Sequence, residues 1–111
     1  MNLELKINDE FKDYLTRKDD RTNPFTKKSG IQYVFKFENG YGASVIKTSG
    51  SYGYEDDLWE LGLLRDGYLE YAELTNFDVL GYLTDEQVNI VLTEIKNGNV
   101  NTYINLEGLE S

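Results

Sequence analysis

The chain contains no cysteine and no histidine. That removes thiol nucleophiles, disulfides, Cys/His zinc sites and the usual general base at neutral pH, so any chemistry would fall to carboxylates, lysine, tyrosine, serine or threonine. Proline occurs once, at Pro24. No stretch approaches the ~20 apolar residues of a membrane span, and the first residues, Met-Asn-Leu-Glu-Leu-Lys-Ile, lack the apolar run of a signal peptide. The expectation is a soluble, cytoplasmic protein with no metal, no cofactor and no membrane partner. Cations are scarce in one half only. Residues 51–111 carry thirteen acidic and two basic side chains, Arg65 and Lys96, whereas residues 1–50 carry seven and nine; the whole chain has a net charge of −9. A field of that sign repels nucleic acid and membranes and favours basic protein surfaces. Plain solubility is the competing explanation.

With 111 residues the chain is large enough to bury about two thirds of its unfolded surface, so one domain is expected. It divides into an N-terminal extension (1–29), a core (30–98) and a tail (99–111). In the core, Asn39-Gly40 and Asp66-Gly67 each interrupt an alternating apolar run, which predicts two β-hairpins with two-residue turns. Counting outward from Asn39-Gly40 places Glu38 opposite Tyr41, Tyr33 opposite Ile46, Phe35 opposite Ser44 and Phe37 across Gly42. Counting from Asp66-Gly67 places Arg65 opposite Tyr68, puts Trp59, Leu61 and Leu63 on one face with Ala72 and Leu74, and sets Glu60 directly across from Glu73. Two facing glutamates are destabilising unless a cation is near. A partner's arginine would relieve the repulsion, as would Lys36 or Lys47 in the same sheet.

The C-terminal helix is the clearest element. Thr84 and Gln87 make a capping box, Leu83 and Val88 a hydrophobic staple, and Val88, Val91, Leu92 and Ile95 one apolar face, with Asn97-Gly98 as the stop. At the other end Leu3, Leu5 and Ile7 alternate like a strand, after which Phe11, Tyr14 and Leu15 switch to helical spacing behind a candidate cap at Asn8. Residues 18–29 are polar and aperiodic and read as a loop. Around Tyr103 to Leu106 the tail suggests a last edge strand. The predicted fold is therefore α+β: an antiparallel sheet of about four strands, in two β-hairpins, packed against the helix at 85–97, with a short N-terminal helix.

The glycine- and tyrosine-rich bend 48–57 is the candidate functional loop, because binding residues tend to sit on loops carried by a rigid sheet. Tyr52 and Tyr54 are expected to be at least half exposed there, beside Glu55, Asp56 and Asp57. With Glu60, Glu73 and Asp78 these form the candidate partner-binding set, the tyrosines serving as anchors of large area and low entropy cost. Catalytic and nucleotide motifs fail. Gly40-Tyr41-Gly42 sits at a hairpin rather than before a helix, Lys47-Thr48-Ser49-Gly50 lacks the upstream phosphate loop, and the acidic run lacks the spaced ligands of a calcium loop. Glu60 and Glu73 lie on a sheet face rather than across a cleft, so no catalytic pair is assigned and the expectation is not an enzyme.

Phe-Glu-Asn-Gly-Tyr-Gly-Ala-Ser-Val at 37–45, Tyr-Gly at 52–53, Leu-Trp-Glu-Leu at 58–61 and Asp-Val-Leu-Gly-Tyr-Leu-Thr at 78–84 occur in an order that resembles a widespread family of small uncharacterised bacteriophage and prophage proteins. The resemblance covers residues 31–96 and implies a phage origin and a bacterial host cytosol; it supplies no catalytic residues. Joined to the acidic charge, it makes the leading expectation a protein that binds and modulates or inhibits a host protein with a basic, nucleic-acid-binding surface. Such a protein would act as a nucleic-acid mimic against a defence nuclease such as a CRISPR effector. The alternatives are a structural or accessory module in phage replication or packaging, and a small-ligand binder with Tyr52, Tyr54 and Trp59 as an aromatic platform.

Overall fold

A computed structural model describes residues 1–106. Six strands form one antiparallel sheet: β1 (Leu15–Asp20), β2 (Ile31–Lys36), β3 (Tyr41–Lys47), β4 (Trp59–Arg65), β5 (Tyr68–Leu69) and β6 (Leu80–Leu83). The first four lie in sequence order, and β5 and β6 share the far edge of β4. The helix α1 (Asp85–Lys96) packs against one face, burying Val88, Val91, Leu92 and Ile95 completely against Phe35, Val45, Trp59, Leu61 and Leu63. The fold is α+β, as the residue pattern predicts, with two strands more than the hairpins alone provide.

The capping box at α1 is complete: the Thr84 hydroxyl accepts from the Gln87 backbone N–H at 3.2 Å and the Gln87 side chain accepts from the Thr84 N–H at 2.9 Å. Thr84→Ala removes one of these bonds and is expected to cost about 1 kcal/mol in urea unfolding. An unchanged midpoint would show that tertiary packing alone sets this helix start. At the other end the Asn39 side chain donates to the Ile95 and Lys96 carbonyls at 2.9 and 3.0 Å, satisfying two of the acceptors that a helix C-terminus leaves open.

That use of Asn39 goes with a correction to the first hairpin. Phe37 N–H bonds to the Tyr41 carbonyl at 2.8 Å, Gly40 N–H bonds to the Phe37 carbonyl at 3.3 Å, and Gly40 has φ +88°. The connection is a three-residue turn with a left-handed glycine, not a two-residue one. Tyr33 consequently faces Val45, Phe35 faces Ala43 and Lys36 faces Gly42. A slip of one residue exchanges the faces of a strand, so Ala43, Val45 and Lys47 point to the core in place of Ile46, Ser44 and Gly42. Phe37 does not cover Gly42; it is buried against Phe11 and Tyr14, with ring centroids 6.1 and 5.1 Å away.

In the second hairpin Asp66 and Gly67 both have positive φ, and Arg65 faces Tyr68 as counted. Strand pairing then stops. After Glu70 N–H bonds to Leu63 the chain enters a 3-10 turn, Glu73–Thr75, that buries Ala72 and Leu74. β6 takes the place beside Trp59 and Leu61, so Glu73 is not opposite Glu60.

The N-terminal extension belongs to the same core. Residues 9–14 form a 3-10 helix rather than an α-helix, and the Asn8 side chain makes no cap bond, although Phe11 is fully buried. β1 occupies residues split between the end of the expected helix and the expected loop. Its pattern is hidden because it is a charged edge strand with a bulge after Leu15, a common protection against edge-to-edge pairing. Val100 is buried and accepts from the Leu74 N–H at 3.0 Å. The expected strand around Tyr103 to Leu106 is not formed; the remainder of the tail, 107–111, lies outside the described residues.

Candidate protein-binding surface

The bend after β3 is built by a hydroxyl and two glycines. Ser51 Oγ accepts from the Thr48 N–H and donates to the Thr48 carbonyl, and Gly50 and Gly53 take φ of +112° and +100°. A 3-10 turn, Tyr54–Asp56, follows. The bend lies on β6: the Tyr82 N–H bonds to the Tyr52 carbonyl at 3.3 Å, and a Cβ placed on Gly81 would come within 2.4 Å of Tyr52 Cβ. Gly81 leaves the gap in which Tyr52 sits.

Within this bend the two tyrosines part company. Tyr52 is 56% exposed, as expected, while Tyr54 is 7% exposed and its hydroxyl donates to the Ser29 carbonyl at 2.6 Å. Tyr54 is therefore a clamp on the end of the β1–β2 loop and not a surface anchor. With Tyr54 and Trp59 (1% exposed) both buried, the aromatic platform for a small ligand does not exist. Glu55 and Asp56 are exposed, and Glu55 meets only Lys28, at 3.8 Å.

Asp57 and Glu60 serve the architecture. Asp57 Oδ1 accepts from Lys47 Nζ at 2.8 Å and from the Asn2 N–H at 3.1 Å, and Lys47 itself is buried with its ammonium 4.1 Å from the centre of the Trp59 ring. The hydrogen bond from Lys47 is the main influence holding the Asp57 carboxyl below its ordinary range. Lys47 thus answers to Asp57 rather than to Glu60. Glu60 accepts from the Tyr52 N–H at 3.0 Å and so fixes the bend from below. Glu73 is half-buried and Asp78 exposed, both in the connection between β5 and β6. Of the eight residues singled out from the sequence, Tyr52, Glu55, Asp56 and Asp78 are exposed, Asp57 is exposed but bonded to Lys47 and Asn2, Glu60 and Glu73 are half-buried, and Tyr54 is buried.

Other aromatics are about as open as Tyr52 or more so. Tyr68, Tyr71, Phe77 and Tyr82 are 79%, 55%, 54% and 57% exposed, and Phe77 and Tyr82 sit at φ +58°. Left-handed backbone at a bulky residue is uncommon and marks either a tight turn or a functional constraint. At Tyr82 it coincides with the irregular register between β4 and β6. A signal for these residues is present in the sequence: residues 66–95 contain no lysine or arginine, and the aromatics in that stretch alternate with Glu70, Glu73 and Asp78.

The class defined by this arrangement is an α+β domain with one sheet, one covering helix and a tyrosine-bearing stretch, 66–95, that contains no lysine or arginine. No family model matches the sequence, and no curated protein and no solved structure matches the chain. Among the described residues no helix is long and apolar enough to cross a membrane, and no group of carboxylates is placed to hold a metal ion.

Proposed function

We propose that this is a non-catalytic protein-binding domain whose acidic, tyrosine-bearing flank engages a basic surface of another protein. The observation that carries the proposal is the stretch 66–95, which holds seven carboxylates, no cation and four aromatic side chains that are each more than half exposed. Tyrosine beside carboxylate suits arginine, which stacks on the ring and pairs with the acid. Tyr52, Glu55 and Asp56 on the neighbouring bend extend the same chemistry, since Tyr52 lies against Gly81. The resemblance to phage proteins supplies the setting: the partner is a host nucleic-acid-binding protein, and the domain inhibits it by occupying the surface that nucleic acid would use.

The test is capture from bacterial lysate with and without competing double-stranded DNA, followed by binding measurements on the purified partner. A nucleic-acid-binding partner displaced by DNA is expected, with weaker binding at higher salt. Tyr82→Ala and Tyr52→Ala are each expected to weaken binding by about tenfold or more if they are anchors of the interface. Capture that DNA does not affect, or no capture at all, would overturn the mimicry.

A further inference from the structure

The core is built on one side of the sheet. Residues 2–8 lie there in a groove, where the Tyr33 hydroxyl donates to the Leu3 carbonyl at 3.0 Å and the Asn89 side chain to the Lys6 carbonyl at 2.8 Å; Leu5 and Phe11 join α1 in the cluster around Tyr33 and Phe35. The opposite face has no helix packed on it, and its residues follow from the strand register. One row runs Lys36, Gly42, Leu64, Leu69 across β2 to β5, the next runs Arg17, Val34, Ser44, Gly62 across β1 to β4, and Ile46 lies beyond, between Gln32 and Glu60. A solvated sheet face turns polar residues outward, yet Val34, Ile46 and Leu64 are half-buried aliphatics here and Leu69 is 46% exposed. The polar groups of the face bond to one another. Gln32 donates to Ser44 Oγ at 2.9 Å and accepts from Arg21 at 2.6 Å, and Arg17 Nε donates to Asp19 at 3.0 Å, so covering them strips few donors or acceptors of a partner. Two charges of this face have no partner among the described residues: Lys36 on β2 and Asp66 in the turn after β4. Both line a hollow of about 180 Å³ between Val34 and Leu64.

We infer that this face is covered by the same face of a second copy of the chain, in a two-fold, sheet-to-sheet dimer. The argument for that occupant is self-complementarity, which a two-fold interface demands of a single surface. An axis lying between the sheets and parallel to β3 sets β1 and β2 of each copy over β4 and β5 of the other. Lys36 then lies over Leu64 at the approach to the turn that carries Asp66, so the free cation of each copy meets the free carboxylate of the other. Leu69, in the same row, comes over the end of the hollow lined by Thr16. Each β3 lies over its counterpart, where Gly42 and Ser44 are small enough for the sheets to approach to the usual ~10 Å. Charge singles out this face as well. Arg17, Arg21 and Lys36 balance Asp19, Glu60 and Asp66, three against three, on a chain whose net charge is −9, so two copies meet here without the local repulsion of like charge. The face is small for a specific interface, which makes the dimer weak. The inference does not rest on the partner-binding reading above.

Sedimentation equilibrium of the full-length chain, raised from about 10 μM to about 1 mM, is expected to show monomers giving way to dimers. Leu69→Asp is expected to weaken the dimer by about tenfold or more. Lys36→Glu, at an exposed side chain that the fold does not use, is expected to weaken it by about threefold or more. Tyr103→Ala, at an exposed ring beside Ile90 and Glu94 of α1, is the control and is expected to leave it unchanged. The unaltered chain gives a second readout that does not depend on the folding of any variant. Its amide resonances at Val34, Ser44 and Leu64 are expected to shift with concentration, and a half-labelled sample to show contacts from the Leu69 methyls of one copy to the Val34 methyls of the other. Unaltered chains that stay monomeric at millimolar concentration would overturn the inference and leave the face to some other occupant. So would a dimer that Leu69→Asp leaves intact while the near-ultraviolet signal of Trp59 is kept, or concentration-dependent shifts confined to another surface, the tyrosine-bearing stretch included.

Discussion

Asp57→Ala is expected to lower the unfolding free energy by about 3 kcal/mol, whereas Lys47→Met, which deletes the same ion pair, is expected to cost about 1 kcal/mol or less. The asymmetry follows from where each charge is left. The Lys47 side chain is 2% exposed and that of Asp57 is 48% exposed. Without Asp57, the ammonium stays beneath the N-terminal segment with only the Asn2 carbonyl and the face of Trp59 for company; a buried charge stripped of its partner is strongly destabilising. Without Lys47, the carboxylate is already half in water, while methionine fills the apolar channel of the lysine stem. The pair also sets an acid dependence. Because the folded-state value of Asp57 is depressed below its ordinary 3.8, chiefly by the hydrogen bond from Lys47, its contribution is present above that ordinary value and is lost as pH falls through the lower folded value. Urea unfolding of the three proteins at neutral pH and down a series to about pH 3 checks both parts. Equal costs for the two variants, or an acid limb unchanged in Asp57→Ala, would contradict this account.

Gly42→Ala is expected to cost about 3 kcal/mol or more, through steric conflict rather than torsion. A Cβ on Gly42 would lie 2.1 Å from the Phe35 carbonyl oxygen and 3.1 Å from its carbon. Both are backbone atoms of the paired strand, so no side-chain rotation relieves the contact; β2 and β3 must separate where Phe35 and Ala43 meet the core. Gly50→Ala is the control. Nothing lies within 4 Å of its added methyl, but its φ of +112° is one that alanine rarely adopts, and such a change costs roughly 1 kcal/mol. Thermal unfolding of the two variants separates the effects. A smaller loss in Gly42→Ala than in Gly50→Ala would mean that the first hairpin is not packed as described.

What was legible in the chain was what neighbouring residues decide among themselves. The capping box and apolar face of α1 lie within one helix, and Asp66-Gly67 has the backbone preferences of the turn it makes. Asn39-Gly40 was legible as a turn but not as to its length, because both a two-residue and a three-residue connection use a left-handed glycine. The longer turn goes with an Asn39 side chain that reaches the Ile95 carbonyl, 56 positions away. β1 offers almost no apolar alternation because an edge strand is best protected by charge.

The candidate surface divides in the same way. That an acidic, tyrosine-bearing bend follows β3 is evident from composition. Which of Tyr52 and Tyr54 is free depends on the Ser29 carbonyl, and whether Asp57 is a free acid or the counter-ion of a buried lysine depends on Lys47, ten positions earlier.

By itself the sequence determined the fold class, the helix and its limits, the two hairpin sites, the charge and the absence of thiol and imidazole chemistry. These rest on periodicity and turn preferences that act over a few residues. Only the tertiary structure decided the register of the first hairpin, the place of β6 beside β4, the burial of Tyr54 and Lys47, and the groove that holds residues 2–8. β6 is placed by main-chain pairing; in the other cases a polar side chain bonds to partners far away in the chain, and the cost of leaving buried donors and acceptors unpaired favours that choice.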